Sequence, residues 1–366
     1  MKLRIFTLLT VFALLFTGLT ACVEKPVDPA DTTDSETESS TQGTETESES
    51  ETDPDTATDP VNVNVYTLNG TTGFGFAKMM NDAKNGAYTT ENYTFTVQSD
   101  ASLITSALIN GDVDIAALPT NAAANLYNVT EGGVRILAVN TLGCLYLLTK
   151  EGTTVESFAD LKGKTVYTPQ QNPSFIVQEL VKKNGLEIGT GADQVDIDSS
   201  SYKLPADLRD AVASGAVDIA VLPEPMVTIA ISSAKQQNIN VTNAMDLTAE
   251  WDKVHTEGSL VQGCVVVRTA FLEANPEAVE NFLTAYEASI QYLTEHVEET
   301  AQMIADNGIF ANANVAKKAI PNCNVCYLDG AEMKSAMEEY LNVLLAIKAQ
   351  SIGGKLPAAD FYYNAK

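Results

Sequence analysis

Histidine is almost missing from this chain: there are two in 366 residues. Tryptophan occurs once, and 22 Lys and Arg stand against 48 Asp and Glu. Each shortage removes a class of function. With only His255 and His296, metal sites built on several imidazoles and general-base chemistry have few candidates. His296 opens HVEET, which lacks the second histidine of an HExxH zinc motif. There is no GxSxG, no P-loop and no GxGxxG. The glycines of GTTGFG, residues 70–75, fall in the wrong register for the dinucleotide pattern, and entry into a helix explains them. No metal and no cofactor is expected. The shortage of basic residues leaves a net charge of −26, which argues against nucleic acid or an anionic membrane surface as partners.

Long apolar runs are also scarce. The one at the N-terminus, Ile5 to Phe16, follows Lys2 and Arg4 and is short for a membrane span, so it reads as a signal peptide over residues 1–22. Leu19-Thr20-Ala21-Cys22 resembles the bacterial lipobox, which implies cleavage before Cys22 and its acylation. Several acyl chains on one residue anchor a protein lastingly, where one chain binds only marginally. Residues 23–60 have no aromatic residue and two valines as their only bulky aliphatics. Thirteen acids and one lysine there give −12. Such a segment buries too little apolar surface to offset its ordering entropy and reads as a disordered acidic tether. Residues 61–366 keep −16 and are long enough for two compact lobes.

Within that stretch one pattern occurs twice. Gly111–Pro119 reads GDVDIAALP and Gly215–Pro223 reads GAVDIAVLP, identical at seven of nine positions and 104 residues apart. Val65-Tyr66-Thr67 and Val166-Tyr167-Thr168 echo the same duplication. Two copies are too few for a solenoid and suit two similar α/β units. The first unit predicts strands at 61–68, 93–97, 113–118, 134–140 and 144–148, with helices near 73–85, 101–109 and from 121. The second predicts strands at 165–168, 195–197 and 217–222, with helices from Asn172, from Pro205 and from Glu224-Pro225. This alternation marks a mainly parallel sheet with helices on both faces. The C-terminal third is largely helical. Val279, Phe282, Leu283, Tyr286, Ile290 and Leu293 form the apolar face of one helix, and another spans roughly 331–348. The expected fold is α/β: two Rossmann-like lobes joined by a two-strand hinge. Residues 61–150 and 256–366 form the first lobe and 151–255 the second. The crossings fall near 145–155 and 250–262.

In such sheets ligands sit beyond the carboxyl ends of strands, where helices begin. Four such points fall on the duplicated elements. They offer Asn69, Thr71 and Thr72; Thr120 and Asn121; Gln170, Gln171, Asn172 and Ser174; and Glu224. Free N–H groups at helix starts bind polar groups well. The plain alternative is that Thr72, Thr120 and Asn172 only cap their own helices. None of the four loops holds Arg or Lys, which a multiply charged anion would want. One acid, Glu224, favours a neutral or cationic solute with N–H donors. Phe74, Phe76, Tyr127 and Phe175 offer a stacking face, although core positions suit them better. Cys144 and Cys264 each follow a glycine and open an apolar strand, so their thiols would approach if those strands were neighbours. Cys323 and Cys326 form one CxxC, too little for a common zinc site.

The lipobox, the tether, the two VYT…VDIAxLP units, FADLKGKTV and AVLPEPMV together resemble a solute-binding lipoprotein of an ABC importer. Over about residues 62–350 the chain is similar to the group of nitrate, sulfonate, taurine and thiamine-precursor receptors. The resemblance implies a periplasmic binding protein type II fold and capture of a small-molecule solute by lobe closure. It implies delivery to ABC permease and ATPase subunits by an extracytoplasmic, lipid-anchored monomer. An aminopyrimidine is the preferred solute, with nitrate or an organosulfonate as the alternative. A pyrimidine-making enzyme shares the fold, but its cysteine-rich motif is not found here. A tethered receptor that signals or adheres is a third reading.

Overall fold

The computed structural model describes residues 59–255 and 259–364. The signal segment, Cys22 and nearly all of the tether lie outside the described residues. Twelve strands are described: β1 Val61–Leu68, β2 Glu91–Gln98, β3 Ile115–Pro119, β4 Val134–Leu142, β5 Leu145–Lys150, β6 Thr165–Tyr167, β7 Glu187–Ile188, β8 Gln194–Asp198, β9 Ile219–Pro223, β10 Val241–Asp246, β11 Val261–Arg268 and β12 Val325–Leu328. They form two six-stranded sheets, in the orders β12-β4-β11-β3-β1-β2 and β10-β5-β9-β6-β8-β7.

Both sheets follow one plan. A parallel trio, β2-β1-β3 in one and β8-β6-β9 in the other, is extended by an antiparallel strand. That added strand is the one arriving from the other lobe. β11 lies against β3, with Gly263 opposite Pro119 and Cys264 opposite Leu118. β5 lies against β9, with Leu145 opposite Pro223. The duplicated GxVDIAxLP segments are thus the strands on which both crossings dock. The first four residues of β3 and of β9 are all buried, as expected mid-sheet with cover on both faces.

The expected strand at 144–148 does form, but in the second sheet. The first crossing is therefore Gly143-Cys144, and the boundary expected at 150 falls earlier in the chain. Both β4 and β5 are buried apolar runs, and periodicity cannot say which sheet such a run joins. Gly143 has a tight reason to be glycine: a Cβ there would lie 2.1 Å from Thr248 Oγ1 and 2.9 Å from Leu260 Cδ2. The second crossing follows helix Leu247–Val254 and leads into β11.

The helix expected near 73–85 is two pieces, Thr71–Phe74 and Ala77–Lys84. The glycines of GTTGFG let this segment pack closely against its neighbours. A Cβ on Gly73 would meet the Leu68 carbonyl at 2.2 Å, and one on Gly75 would meet Ile290 at 2.9 Å. Helix Pro276–Glu295 buries all six residues of its expected apolar face. Burial of large side chains of that kind contributes about 1.5–3 kcal/mol each. Helix Gly330–Lys348 packs on β4 and β11 and also meets helix Asn172–Lys183 of the second lobe. Sequence reading left out β7, β10 and β12, and the helices Leu247–Val254, Val297–Asp306 and Ala313–Ala319.

Candidate functional site

The four expected helix starts meet in cross-lobe pairs. Helix Thr71–Phe74 follows β1, Thr120–Val129 follows β3, Asn172–Lys183 follows β6 and Met226–Gln236 follows β9. Thr71 Oγ1 donates to the backbone carbonyl of Glu224 at 2.8 Å. Asn172 Nδ2 donates to Asn121 Oδ1 at 2.9 Å. Each bond joins one lobe to the other. All four residues are buried, so the facing loops exclude most water between them.

The plain alternative, in which Thr72, Thr120 and Asn172 only cap their own helices, does not hold. The N-cap positions are Gly70, Pro119, Gln171 and Pro225, and none makes a side-chain cap. Elsewhere Asp100, Asp246 and Asn312 cap their helices in the ordinary way. Thr120 Oγ1 donates to the Val261 carbonyl at 2.8 Å, tying its helix to the start of β11. Thr72 is half-buried, and its carbonyl accepts from Asn140 Nδ2 at 3.0 Å. Ser174 is buried and accepts from Gln178 at 3.1 Å. First-turn N–H groups left without caps are the donors a bound solute or water can use. Asn172 Oδ1 is buried with no protein partner, a further acceptor of the same kind.

Glu224 has its carboxylate engaged at the start of helix Met226–Gln236. Its carboxylate accepts from Thr228 N at 3.1 Å and Thr228 Oγ1 at 2.9 Å. It thereby serves the start of its own helix. Burial raises its pKa, and the bonds from Thr228 oppose that rise. Three other expected residues, Asn69, Gln170 and Gln171, are exposed. Gln171 takes a positive φ of 66°. With Asp100, Asn121, Phe175, Lys348 and Ser351 it lines a cavity of about 500 Å³ at the rim of the lobe boundary. Of the expected stacking residues only Phe175 lines that cavity. Phe74 and Phe76 are fully buried in the first lobe's core, and Tyr127 is buried with its hydroxyl on Asp360.

The condition for an approach of Cys144 to Cys264 is not met, because β5 and β11 lie in different sheets, and both are buried free thiols. Cys144 Sγ instead donates to Gln262 Oε1 at 3.0 Å, and Cys264 Sγ to the Leu118 carbonyl at 3.5 Å. Cys323 and Cys326 are both free as well. Sequence reading gave the segment that carries them no place at the site. Asn322 accepts from Tyr146 OH at 2.9 Å through its carbonyl, and Cys323 Sγ lies 3.8 Å from Thr71 Oγ1. Asn324 Nδ2 donates to the Gly143 carbonyl at the first crossing. So PNCNVC of the first lobe reaches the cleft beside Thr71 and Glu224. Its dense Asn and Cys content was the available signal. Burial pushes the Cys144 thiol up to about 12, helped by the charge of Glu224. Cys323 is raised for the same two reasons, with the nearby Cys144 adding to it.

Among the described residues no group of three or more His, Cys, Asp or Glu is placed to hold a metal ion. No described helix is long and apolar enough to cross a membrane.

Comparisons with solved structures give the same two-lobed fold. An ABC transporter protein from Parabacteroides distasonis superposes with a TM-score of 0.69 at 23% identity, over 84% of this chain and 100% of that one. The alkanesulfonate-binding protein SsuA from Xanthomonas axonopodis pv. citri, bound to MOPS, gives 0.59 at 14% identity, over 84% and 100%. The periplasmic aliphatic sulphonate binding protein SsuA from Escherichia coli gives 0.60 at 16% identity, over 83% and 99%. These likenesses establish the periplasmic binding protein fold. No curated protein sequence matches this chain. A family model described as NMT1/THI5 like matches residues 94–300, more than half of the chain. By that match the chain belongs to the NMT1/THI5-like family.

Proposed function

We propose that this chain is the extracytoplasmic solute receptor of an ABC importer. It captures a small organic solute between its lobes and hands it to a membrane permease and its ATPase. The observation that carries the reading is the pair of cross-lobe bonds, Thr71 to Glu224 and Asn172 to Asn121, at four facing helix starts. Uncapped N–H groups at the first turns of the other three helices supply donors beside the Glu224-served start, and the buried Asn172 Oδ1 supplies an acceptor. Ligand that bonds to both lobes shifts an open–closed equilibrium toward closed. The likeness of Leu19-Thr20-Ala21-Cys22 to a lipobox supports a lipid anchor on the outer face of the cell membrane. We assign it no catalytic step. His255 is packed between two glutamates and His296 is exposed at a helix junction.

The preferred solute class is neutral or cationic and rich in N–H donors, such as an aminopyrimidine of the thiamine-precursor kind. No Arg or Lys lies in the four loops, and a buried carboxylate stands at one of them. A second reading, a monoanion such as a sulfonate, draws on different observations. Lys348 lines the rim cavity, and both oxygens of Glu224 are already engaged by Thr228. Isothermal titration of the purified protein with aminopyrimidines, taurine, alkanesulfonates and nitrate separates them. Heat from an aminopyrimidine alone supports the first class. Heat from sulfonates alone replaces it with the second. No heat from any member, together with no compaction in scattering, removes the receptor reading.

A further inference from the structure

A further link between the lobes lies at the second crossing and is built on one of the two histidines. His255 follows helix Leu247–Val254 and is 6% exposed. Its Nδ1 lies 2.8 Å from Oε1 of Glu339, on helix Gly330–Lys348. Its Nε2 lies 3.3 Å from Oε1 of Glu179, on helix Asn172–Lys183. One imidazole thus stands between a carboxylate of each lobe. Trp251 stacks on the ring with centroids 4.1 Å apart and planes at 18°, and Tyr340 meets Trp251 edge-on. The neighbourhood is short of partners: His255 Nε2, Glu339 Oε2, Trp251 Nε1 and Tyr340 OH are all buried without a hydrogen bond.

The charge state of the ring decides what this arrangement can do. A neutral imidazole has one N–H and can serve one carboxylate, leaving a lone pair facing the other. An imidazolium donates from both nitrogens, and charge-assisted bonds are roughly twice as strong as neutral ones. The other charged groups nearby do not replace it. Lys183 Nζ is 3.9 Å from the same Glu179 oxygen but sits on the same lobe. Lys253 and Asp252 lie on the helix that leads to His255, and Lys253 pairs with Glu250 at 2.6 Å. On the facing helix Glu338 is met by Lys334 at 3.8 Å. Among the described residues Glu339 has no ion-pair partner besides His255.

We propose that His255 is a proton-controlled pin of the closed state: its imidazolium bridges Glu179 and Glu339 across the lobes, and loss of that proton favours opening. A receptor so built would hold its contents more tightly in mildly acidic surroundings and release them as the pH rises. The pin rests on the opening and closing of the lobes but on no particular solute. It is a positioning group and touches nothing in the cleft that the four helix starts form.

The test is small-angle scattering of the purified chain without solute, from about pH 5 to about pH 8, where imidazoles change charge. The expected result is a radius of gyration that grows with pH. The closed-to-open ratio should fall roughly tenfold, the scale of one strong hydrogen bond. His255→Gln should hold one radius across the range. Glu339→Gln removes the carboxylate that the ring meets across the lobes and should lose most of the pH dependence. Circular dichroism checks that each variant folds, and if His255→Gln does not, Glu339→Gln decides. A wild-type radius independent of pH overturns the pin, as does an equal trend in wild type and a folded variant. Because no solute is present, failure here leaves the titration result standing, and failure of that titration leaves the pin standing.

Discussion

Replacing Thr71 by Val tests whether the helix starts act as a fastening between lobes or as parts of one lobe. The change is nearly isosteric and removes only the hydroxyl that donates to the Glu224 carbonyl at 2.8 Å. A buried neutral hydrogen bond contributes about 0.5–1.5 kcal/mol net, and the acceptor left dry in the closed form adds to the loss. In the open form that carbonyl meets water, so the penalty falls on closure alone. A total of about 1–2 kcal/mol lowers the closed-to-open ratio roughly five- to thirtyfold. Small-angle scattering of the purified protein reads this as a larger radius of gyration. Thr71→Ser keeps the donor and should restore the wild-type radius. Thermal unfolding starts from whichever lobe arrangement dominates, so the melting point should move by less than about 4 °C. An unchanged radius with a larger fall in melting point would refute the reasoning. The hydroxyl would then stabilise the first lobe itself and not its contact with the second.

Two further outcomes follow from the buried groups beside that contact. Burial raises the Glu224 carboxyl above its ordinary 4.5, so the folded state holds that proton more tightly than the unfolded chain. Its stabilising share is present below 4.5 and is lost as pH rises through the raised value. Glu224→Gln stays neutral, so its melting point relative to wild type should climb between about pH 4 and about pH 7. A flat or falling difference counts against a dry carboxylate. The thiols of Cys144 and Cys326 are pushed up to about 12 by burial, and those of Cys264 and Cys323 are also raised. In native protein near pH 8, all four should resist a chromogenic disulfide reagent, since the thiolate is the reacting form. They should react once denaturant is added. Rapid native labelling of Cys144 or Cys323 would mean that the lobes stand open.

The duplication was legible because local pattern carries it. GxVDIAxLP is a run of small and branched apolar residues that only a mid-sheet strand buries, and the glycine and proline fix its ends. Two copies at a fixed spacing predicted two lobes, and β3 and β9 are those copies. The helix starts were legible for the same reason, since Thr, Asn and Pro next to a strand end mark a turn into a helix. Which partners those side chains take was not. Thr71, Thr120 and Asn172 look like caps in any local window, and they bond instead to Glu224, Val261 and Asn121, residues 51 to 153 positions away. Pairing over such distances depends on the crossing geometry, which no periodicity encodes.

The same division separates what the chain alone determined from what only its folding decided. Composition, charge, motif absences and repeat spacing set the class of molecule, because they depend on what each residue is. The placement of β5 in the second sheet, the arrival of PNCNVC at the cleft and the seat of His255 between Glu179 and Glu339 depend on where two passes of the backbone carry residues far apart in sequence. Long-range contact is a property of the packed whole, and here it assembled the bonds that join the two halves.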